Sequence, residues 1–449
     1  MKTIQRIKQK KKFNIAFDGR PDPTMQEVGM PASIGVCPKH YSFIKSKVIV
    51  SIGDEVQRGQ ALFYDKKNPQ VYFHSPVAGT VSAIDYGPQR TLERVTMTPS
   101  SVDQAIEFQP VNIPELSVSE AKSVLLERGL WTSFIELPFQ NIPSPEVNPP
   151  AIVVMLSNPE PFHPKLSVVN DHVDDDLVRG IQLLKKITPR VIVAVDADES
   201  LNCDALAEIA QVVRISGDFS LFDPASVVYH LKDNQDENKT WACDWQSCVK
   251  IGNTIHTQTY FNQHWITVGG NQVENNRHYK VIEGTQVDAV VTKNNPNDRM
   301  IFGGLFSGLH MASEDYLPLG VDAINIIDSD PQPEFMSFIH AGLHKVSYTR
   351  AYMAGLLNTF RKTPTSTALH GSHRDCISCG LCTHVCPIDT ALPQHILRSL
   401  KGNDVESAMK YGLLDCSSCG VCTYVCPSKI DLASMFTEAK DQLYREVNA

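Results

Sequence analysis

Eight of the chain's cysteines fall into two runs of one spacing. Cys376, Cys379, Cys382 and Cys386 precede Pro387, and Cys416, Cys419, Cys422 and Cys426 precede Pro427. Each run reads C-x2-C-x2-C-x3-C-P, a spacing that brings three thiolates from one tight loop to the corners of a [4Fe-4S] cubane. Gly380 and Gly420 stand where the backbone must bend around the sulfide atoms. Zinc sites pair two ligands with two, so repeated quartets ending in proline do not fit that chemistry. Disulfides are the alternative for a cysteine-rich chain, but the N-terminal stretch MKTIQRIKQKKKFNIAF has no apolar core or cleavage site of a secretory signal. The chemistry expected is one-electron transfer.

In two-cluster ferredoxins the fourth cysteine of each run ligates the other cluster. On that pattern, cluster one takes Cys376, Cys379, Cys382 and Cys426, and cluster two takes Cys416, Cys419, Cys422 and Cys386. Between the runs, the sequence predicts helices around Gln394–Leu400 and Val405–Tyr411, broken at Gly402 and Asn403, which makes a helical ferredoxin module. His384 and Tyr424 hold matching places inside the runs and read as packing or surface residues. Cys37, Cys203, Cys243 and Cys248 share no ligand spacing and read as ordinary thiols.

The rest of the 449 residues must position this module. A net charge of −9 argues against nucleic acid as a partner, because phosphate binding needs concentrated basic surface. Lys10–Lys12 reads as a solvated face. The longest apolar runs, such as AIVVML from Ala151, fall far short of the ~20 residues that cross a bilayer. Residues 1–105 alternate β-rich runs with glycine turns and resemble the lipoyl/biotinyl barrel-sandwich through GDEVQRGQAL and SPVAGTV. At the position where a carrier domain holds its modified lysine, this chain has Asn68, so the fold is expected without the swinging arm.

Residues 106–250 alternate helix and strand signals and predict a Rossmann-like α/β domain. A helix capped at Ser119 runs toward Gly129; strands at Ala151–Leu156 and Arg190–Val195 alternate with helices at Asp174–Lys186 and Asp204–Val213. No G-x-G-x-x-G or Walker motif follows a strand, and Gly269–Gly270 and Gly303–Gly304 read as turn glycines. Residues 251–345 are β-rich and suggest a β-grasp-like α+β domain, leaving 346–449 for the ferredoxin module. The fold class is thus multidomain α/β and α+β.

In this order, the domains resemble the family shared by the NqrA component of the sodium-translocating NADH:quinone reductase and the RnfC component of the Rnf electron-transfer complex. YDKKNPQVYFHSPVAGTV, LLERGLWTSFIELPF, the Trp245–Asn276 segment, FGGLFSGLH and HKVSYTRAY are similar to the NqrA branch. The Rnf branch carries a GGAGFPT-type loop for flavin and NADH; here the corresponding place reads RGLW from Arg128, with only Gly129 retained. The intact cysteine runs depart from the common form of the NqrA branch and are the feature nearest the Rnf branch.

The resemblance implies a peripheral subunit on the cytoplasmic side of the inner membrane, in a redox-driven ion pump that passes electrons from NADH to quinone and exports Na+. It implies other pump subunits as partners, quinone as a possible ligand, and no flavin or NADH held by this chain. An RnfC-type chain, serving ferredoxin:NAD oxidoreduction, is the alternative.

Overall fold

The computed structural model describes residues 5–9, 17–38, 41–158, 160–169, 173–199, 203–292, 295, 298–310, 316–328, 373–389 and 391–448. Lys10–Lys12, HKVSYTRAY and the expected boundary at residue 345 lie outside the described residues. Strand β1 (Gln5–Lys8) joins the sheet of the α/β domain, and β2 (Asp22–Glu27) joins that of the following domain. These first segments therefore lie outside the barrel-sandwich to which composition alone assigns them. Parallel pairing of β1 with Gln211–Ser216 and of β2 with Arg277–Ile282 ties the start of the chain into both later domains.

The barrel-sandwich uses β3 (Ile34–Val36), β4 (Ser46–Val48), β5 (Glu55–Val56), β6 (Ala61–Asp65), β7 (Tyr72–His74), β8 (Gly79–Tyr86) and β9 (Leu92–Pro99). They form a four-stranded sheet ordered β3-β9-β8-β5 and a three-stranded sheet ordered β4-β6-β7. Between the sheets, Phe63 and Phe73 stack 4.6 Å apart among Val36, Val71 and Met97. Asn68 sits at the β6–β7 tip, where its amide donates to Asp65 Oδ2 at 3.3 Å and its carbonyl accepts from Val71 N at 2.8 Å.

Helix α1 (Val118–Glu127) starts at Ser117, not Ser119. Glu120 completes a capping box there, and satisfying two otherwise unpaired backbone donors decides the boundary. Then come β10 (Ile135–Glu136), β11 (Ile152–Met155), α2 (Asp174–Ile187), β12 (Val191–Asp196), α3 (Asp204–Ile209), β13 (Gln211–Ser216), α4 (Pro224–Leu231), β14 (Trp241–Asp244) and α5 (Trp245–Thr257). The helix expected to reach Val213 ends at Ile209, because the β-branched run Val212, Val213 and Ile215 forms a buried strand. Helix α5 also crosses the boundary expected at residue 250.

The sheet order is β1-β13-β12-β11-β14-β10, parallel except for the pair β14–β10. The chain leaves β11 in one direction and returns to its other side at β14, so the order reverses between them. In an open α/β sheet this switch point leaves a crevice beyond the carboxyl ends of the strands. Helices α2 and α5 cross closely over one face: a Cβ on Gly252 would stand 1.8 Å from Asp176 O, and one on Gly180 would stand 2.2 Å from Cys248 O.

The next sheet contains β15 (Gln263–Gly269), β16 (Arg277–Ile282), β17 (Arg299–Phe302), β18 (Leu309–His310) and β19 (Ala323–Ile327), ordered β18-β17-β19-β15-β16-β2. Ile266, Val268, Val281 and Ile324 fill its core. The C-terminal module has α6 (Leu381–Val385), α7 (Pro393–Lys401), α8 (Val405–Lys410), α9 (Val421–Tyr424) and α10 (Leu432–Val447). Its own core is Ile396, Leu397, Leu413, Leu432 and Phe436. Among the described residues, no helix is long and apolar enough to cross a membrane.

Candidate functional site

The two cysteine runs follow the same path. Ser378 and Gly380 have φ of 57° and 73°, and Ser418 and Gly420 have φ of 56° and 75°. These left-handed turns curl each loop back so that its three leading cysteines line one cavity, and helices α6 and α9 begin immediately afterwards. Two small cavities result. Cys376, Cys379, Cys382 and Cys426 line one with Leu397, Ile430 and Leu432; Cys386, Cys416, Cys419 and Cys422 line the other with Ile388, Ile396 and Val421. Each cavity takes three cysteines from one run and the fourth from the other.

Four sulfurs in an apolar wall suit an iron–sulfur cluster. Backbone amides point at the sulfurs: Ser418 N–H donates to Cys416 Sγ at 3.4 Å, and Ile388 and Val421 donate to Cys386 and Cys419. Such N–H···S bonds are a lever on cluster potential. Burial pushes the thiols of Cys382, Cys386 and Cys422 upward and that of Cys419 to about 12. Coordination to a bound metal would hold those sulfurs as thiolates at neutral pH.

The module seats on the body by its second loop. Lys232 pairs with Asp415, and Lys440 Nζ, on a residue 4% exposed, donates to Pro138 O at 3.5 Å while holding Cys416 O within the module at 2.9 Å. Tyr444 stacks on Phe43 at 4.0 Å. Tyr424 packs edge-on against Phe306 at 5.2 Å, while His384 is exposed.

Beside this seat lies a crevice of about 760 Å³ at the switch point of the parallel sheet, reached by Met155 at the end of β11, by Ser157 beyond it, and by Cys243 and Asp244 at the end of β14. Cys419 forms part of its wall. Exposed Leu309, Thr437 and Glu438 lie on its rim, so it opens to solvent. Two helices point their N-termini into it. Both are already capped by carboxylates: Asp223 accepts from Ala225 N at 2.8 Å, and Asp244 accepts from Ser247 N at 2.7 Å. Burial raises both carboxyl groups, Asp223 to about 6.

On another wall, Lys250 Nζ donates to Glu283 at 2.6 and 2.8 Å and to the Tyr260 hydroxyl at 2.8 Å. The glycine loop at 303–308 closes on Glu160, whose carboxylate accepts from Phe306 N at 2.9 Å and from Ser307 N and Oγ at 3.2 and 2.9 Å. Sequence reasoning missed the crevice altogether. Its only local signal was an acidic residue directly before each of two helices.

The RGLW segment is filled solid. Gly129 has φ of 67° with the His74 ring so close that a Cβ would meet it at 2.5 Å. Leu130 and Trp131 are fully buried, and Trp131 Nε1 donates to Pro143 O at 2.9 Å.

Three family patterns match the chain: "NqrA N-terminal barrel-sandwich hybrid domain" at residues 7–100, "NqrA second alpha/beta domain" at 116–260 and "4Fe-4S dicluster domain" at 372–430. Among relatives, the NqrA chain of the Na(+)-translocating NADH-quinone reductase of Neisseria meningitidis serogroup A is 29% identical over 90% of this chain and 92% of its own. Its counterpart from Mannheimia succiniciproducens is 28% identical over 97% and 99%. A solved NAD+-reducing [NiFe]-hydrogenase aligns with a TM-score of 0.37 at 12% identity, over 74% of this chain and 64% of that one, a likeness that carries no argument.

Fold and site together define a multidomain iron–sulfur protein in which a dicluster module is seated beside the switch-point crevice of a doubly wound sheet. By its two N-terminal domains and its likeness to these relatives over most of its length, the chain belongs to the NqrA family.

Proposed function

We propose that this chain is the peripheral electron-transfer subunit of a membrane-bound Na+-translocating NADH:quinone oxidoreductase. The observation carrying this reading is that the second cysteine cavity meets the crevice at Cys419. Cys376, Cys379, Cys382 and Cys426 would hold one [4Fe-4S] cluster, and Cys416, Cys419, Cys422 and Cys386 the other. When bound, the clusters would supply one-electron transfer.

The residues around them have separable tasks. Ile388, Ile396 and Val421 keep water from the second quartet, and Lys440 anchors its loop through Cys416 O. A quinone-class acceptor takes up two protons with two electrons, and Lys250, backed by Tyr260 and Glu283, is a proton-bearing group on the crevice wall. The capped helix N-termini and the filled RGLW segment support the expectation that flavin and NADH bind elsewhere in the pump. A helix N-terminus binds phosphate through its free backbone N–H groups, and here the cap carboxylates already accept from Ala225 N and Ser247 N.

The test uses the cluster-loaded full chain under anaerobic conditions. NADH alone is expected to leave the visible iron–sulfur absorption unchanged, dithionite to bleach it, and a short-chain quinone added afterwards to restore it. Rapid bleaching by NADH alone would overturn the reading in favour of an RnfC-type chain.

A further inference from the structure

Spacing along the chain ties neither Cys243 nor Cys248 to a ligand set, yet the end of β14 and the first turns of α5 bring their sulfurs to 3.6 Å. The two are not equivalent. Cys243 is on the crevice wall, 7% exposed, whereas Cys248 is fully buried behind it. One sulfur can meet a reagent entering the crevice, and the second can meet only the first.

We propose that Cys243 and Cys248 form a redox-active dithiol on the crevice wall, oxidised to a disulfide by exchange with a small-molecule disulfide. The Cys243 sulfur bonds to one sulfur of the reagent and expels the other half as a thiol. The Cys248 sulfur then bonds to the Cys243 sulfur and expels the second half. Two electrons pass from the cysteine pair to the reagent's S–S bond, and the two thiol protons leave with the two expelled thiols.

The geometry requires little movement. Closing from 3.6 Å to a bond of about 2.05 Å brings the sulfurs about 1.5 Å nearer, within reach of side-chain rotation. The backbone on the Cys248 side is held by the close crossing of α2, where Gly180 packs on Cys248 O. Both cysteines are free thiols, and the hydrogen bond to Cys248, followed by burial, raises the Cys243 thiol, so exchange is slow because the proton must leave before the sulfur attacks. Oxidation would staple β14 to α5 across the crevice wall. Because the step uses no iron, it stands apart from the electron-transfer reading.

Both cysteines fall in the single tryptic peptide Thr240–Lys250, TWACDWQSCVK, which makes the test direct. The cluster-loaded chain is incubated anaerobically with oxidised glutathione, alkylated and digested. The expected result is that this peptide loses both alkylation sites together, is lighter by two hydrogens, and regains both sites after dithiothreitol. Cys248→Ser is expected to accumulate a glutathione adduct on Cys243, and Cys243→Ser to leave Cys248 unmodified; the visible absorption of each variant verifies its fold. Two alkylated cysteines in the treated wild-type peptide, or an adduct on Cys248 in Cys243→Ser, would overturn the proposal.

Discussion

The two cysteine quartets share one sequence pattern and one loop geometry, but they occupy opposite environments. In the first, Cys376 and Cys379 are exposed, as is the whole stretch His373–Cys379, with Ile377 64% exposed. In the second, no cysteine is exposed, and the loop is pressed against the body at Phe306 and the crevice. The glycines differ in the same way: a Cβ on Gly380 would meet nothing within 4 Å, while one on Gly420 would lie 2.6 Å from Phe306 O. A repeated motif thus specifies two similar ligand sets, and tertiary seating turns one outward to solvent and the other inward to the crevice.

The largest effect tests the crossed ligation. Cys386→Ala is expected to remove about half of the bound iron, and to remove it from the buried quartet although Cys386 belongs to the first run. Cys426→Ala is expected to empty the exposed quartet instead. Iron analysis with resolved redox titration distinguishes them, and the reverse assignment would break the pairing. Next, an iron chelator should bleach the wild-type chain in two phases, with the fast phase absent in Cys426→Ala and the slow phase absent in Cys386→Ala. A single phase would erase the contrast in exposure.

A smaller effect separates the two glycines. Both have positive φ, so replacement by alanine strains each by about 1–2 kcal/mol. Gly420→Ala must also displace Phe306, so its thermal midpoint should fall further than that of Gly380→Ala. The smallest is a pH slope near the buried quartet. Burial raises Asp223 from 3.8 to about 6, so its contribution to stability is present below about pH 4 and is lost as pH rises through about 6. Asp223→Asn, which retains the cap, should flatten that slope of at most about 1.4 kcal/mol per pH unit in chemical denaturation.

Much of the fold was legible because the determining interactions are local. Helix α2 and strands β11 and β12 came out close to their expected spans, since unbroken apolar runs and a 3.6-residue periodicity need no distant partner. The errors arose where tertiary context decided. Val212 and Val213 fit a helical stripe in isolation, but a vacant place beside β12 makes them strand. Cys243 and Cys248 looked unrelated because five residues along the chain say nothing of distance where a strand turns into a helix.

The sequence by itself determined the chemistry of the tail: residue type and spacing suffice to specify a cysteine quartet, because three ligands come from one short loop. It also set bulky Leu130 and Trp131 where a small-residue phosphate loop has small side chains. Only the tertiary structure decided which quartet faces solvent, that a crevice opens at the switch point, and that two more thiols line up on its wall. Those features depend on strand order and domain seating, in which residues far apart in the chain meet, and no local pattern encodes that meeting.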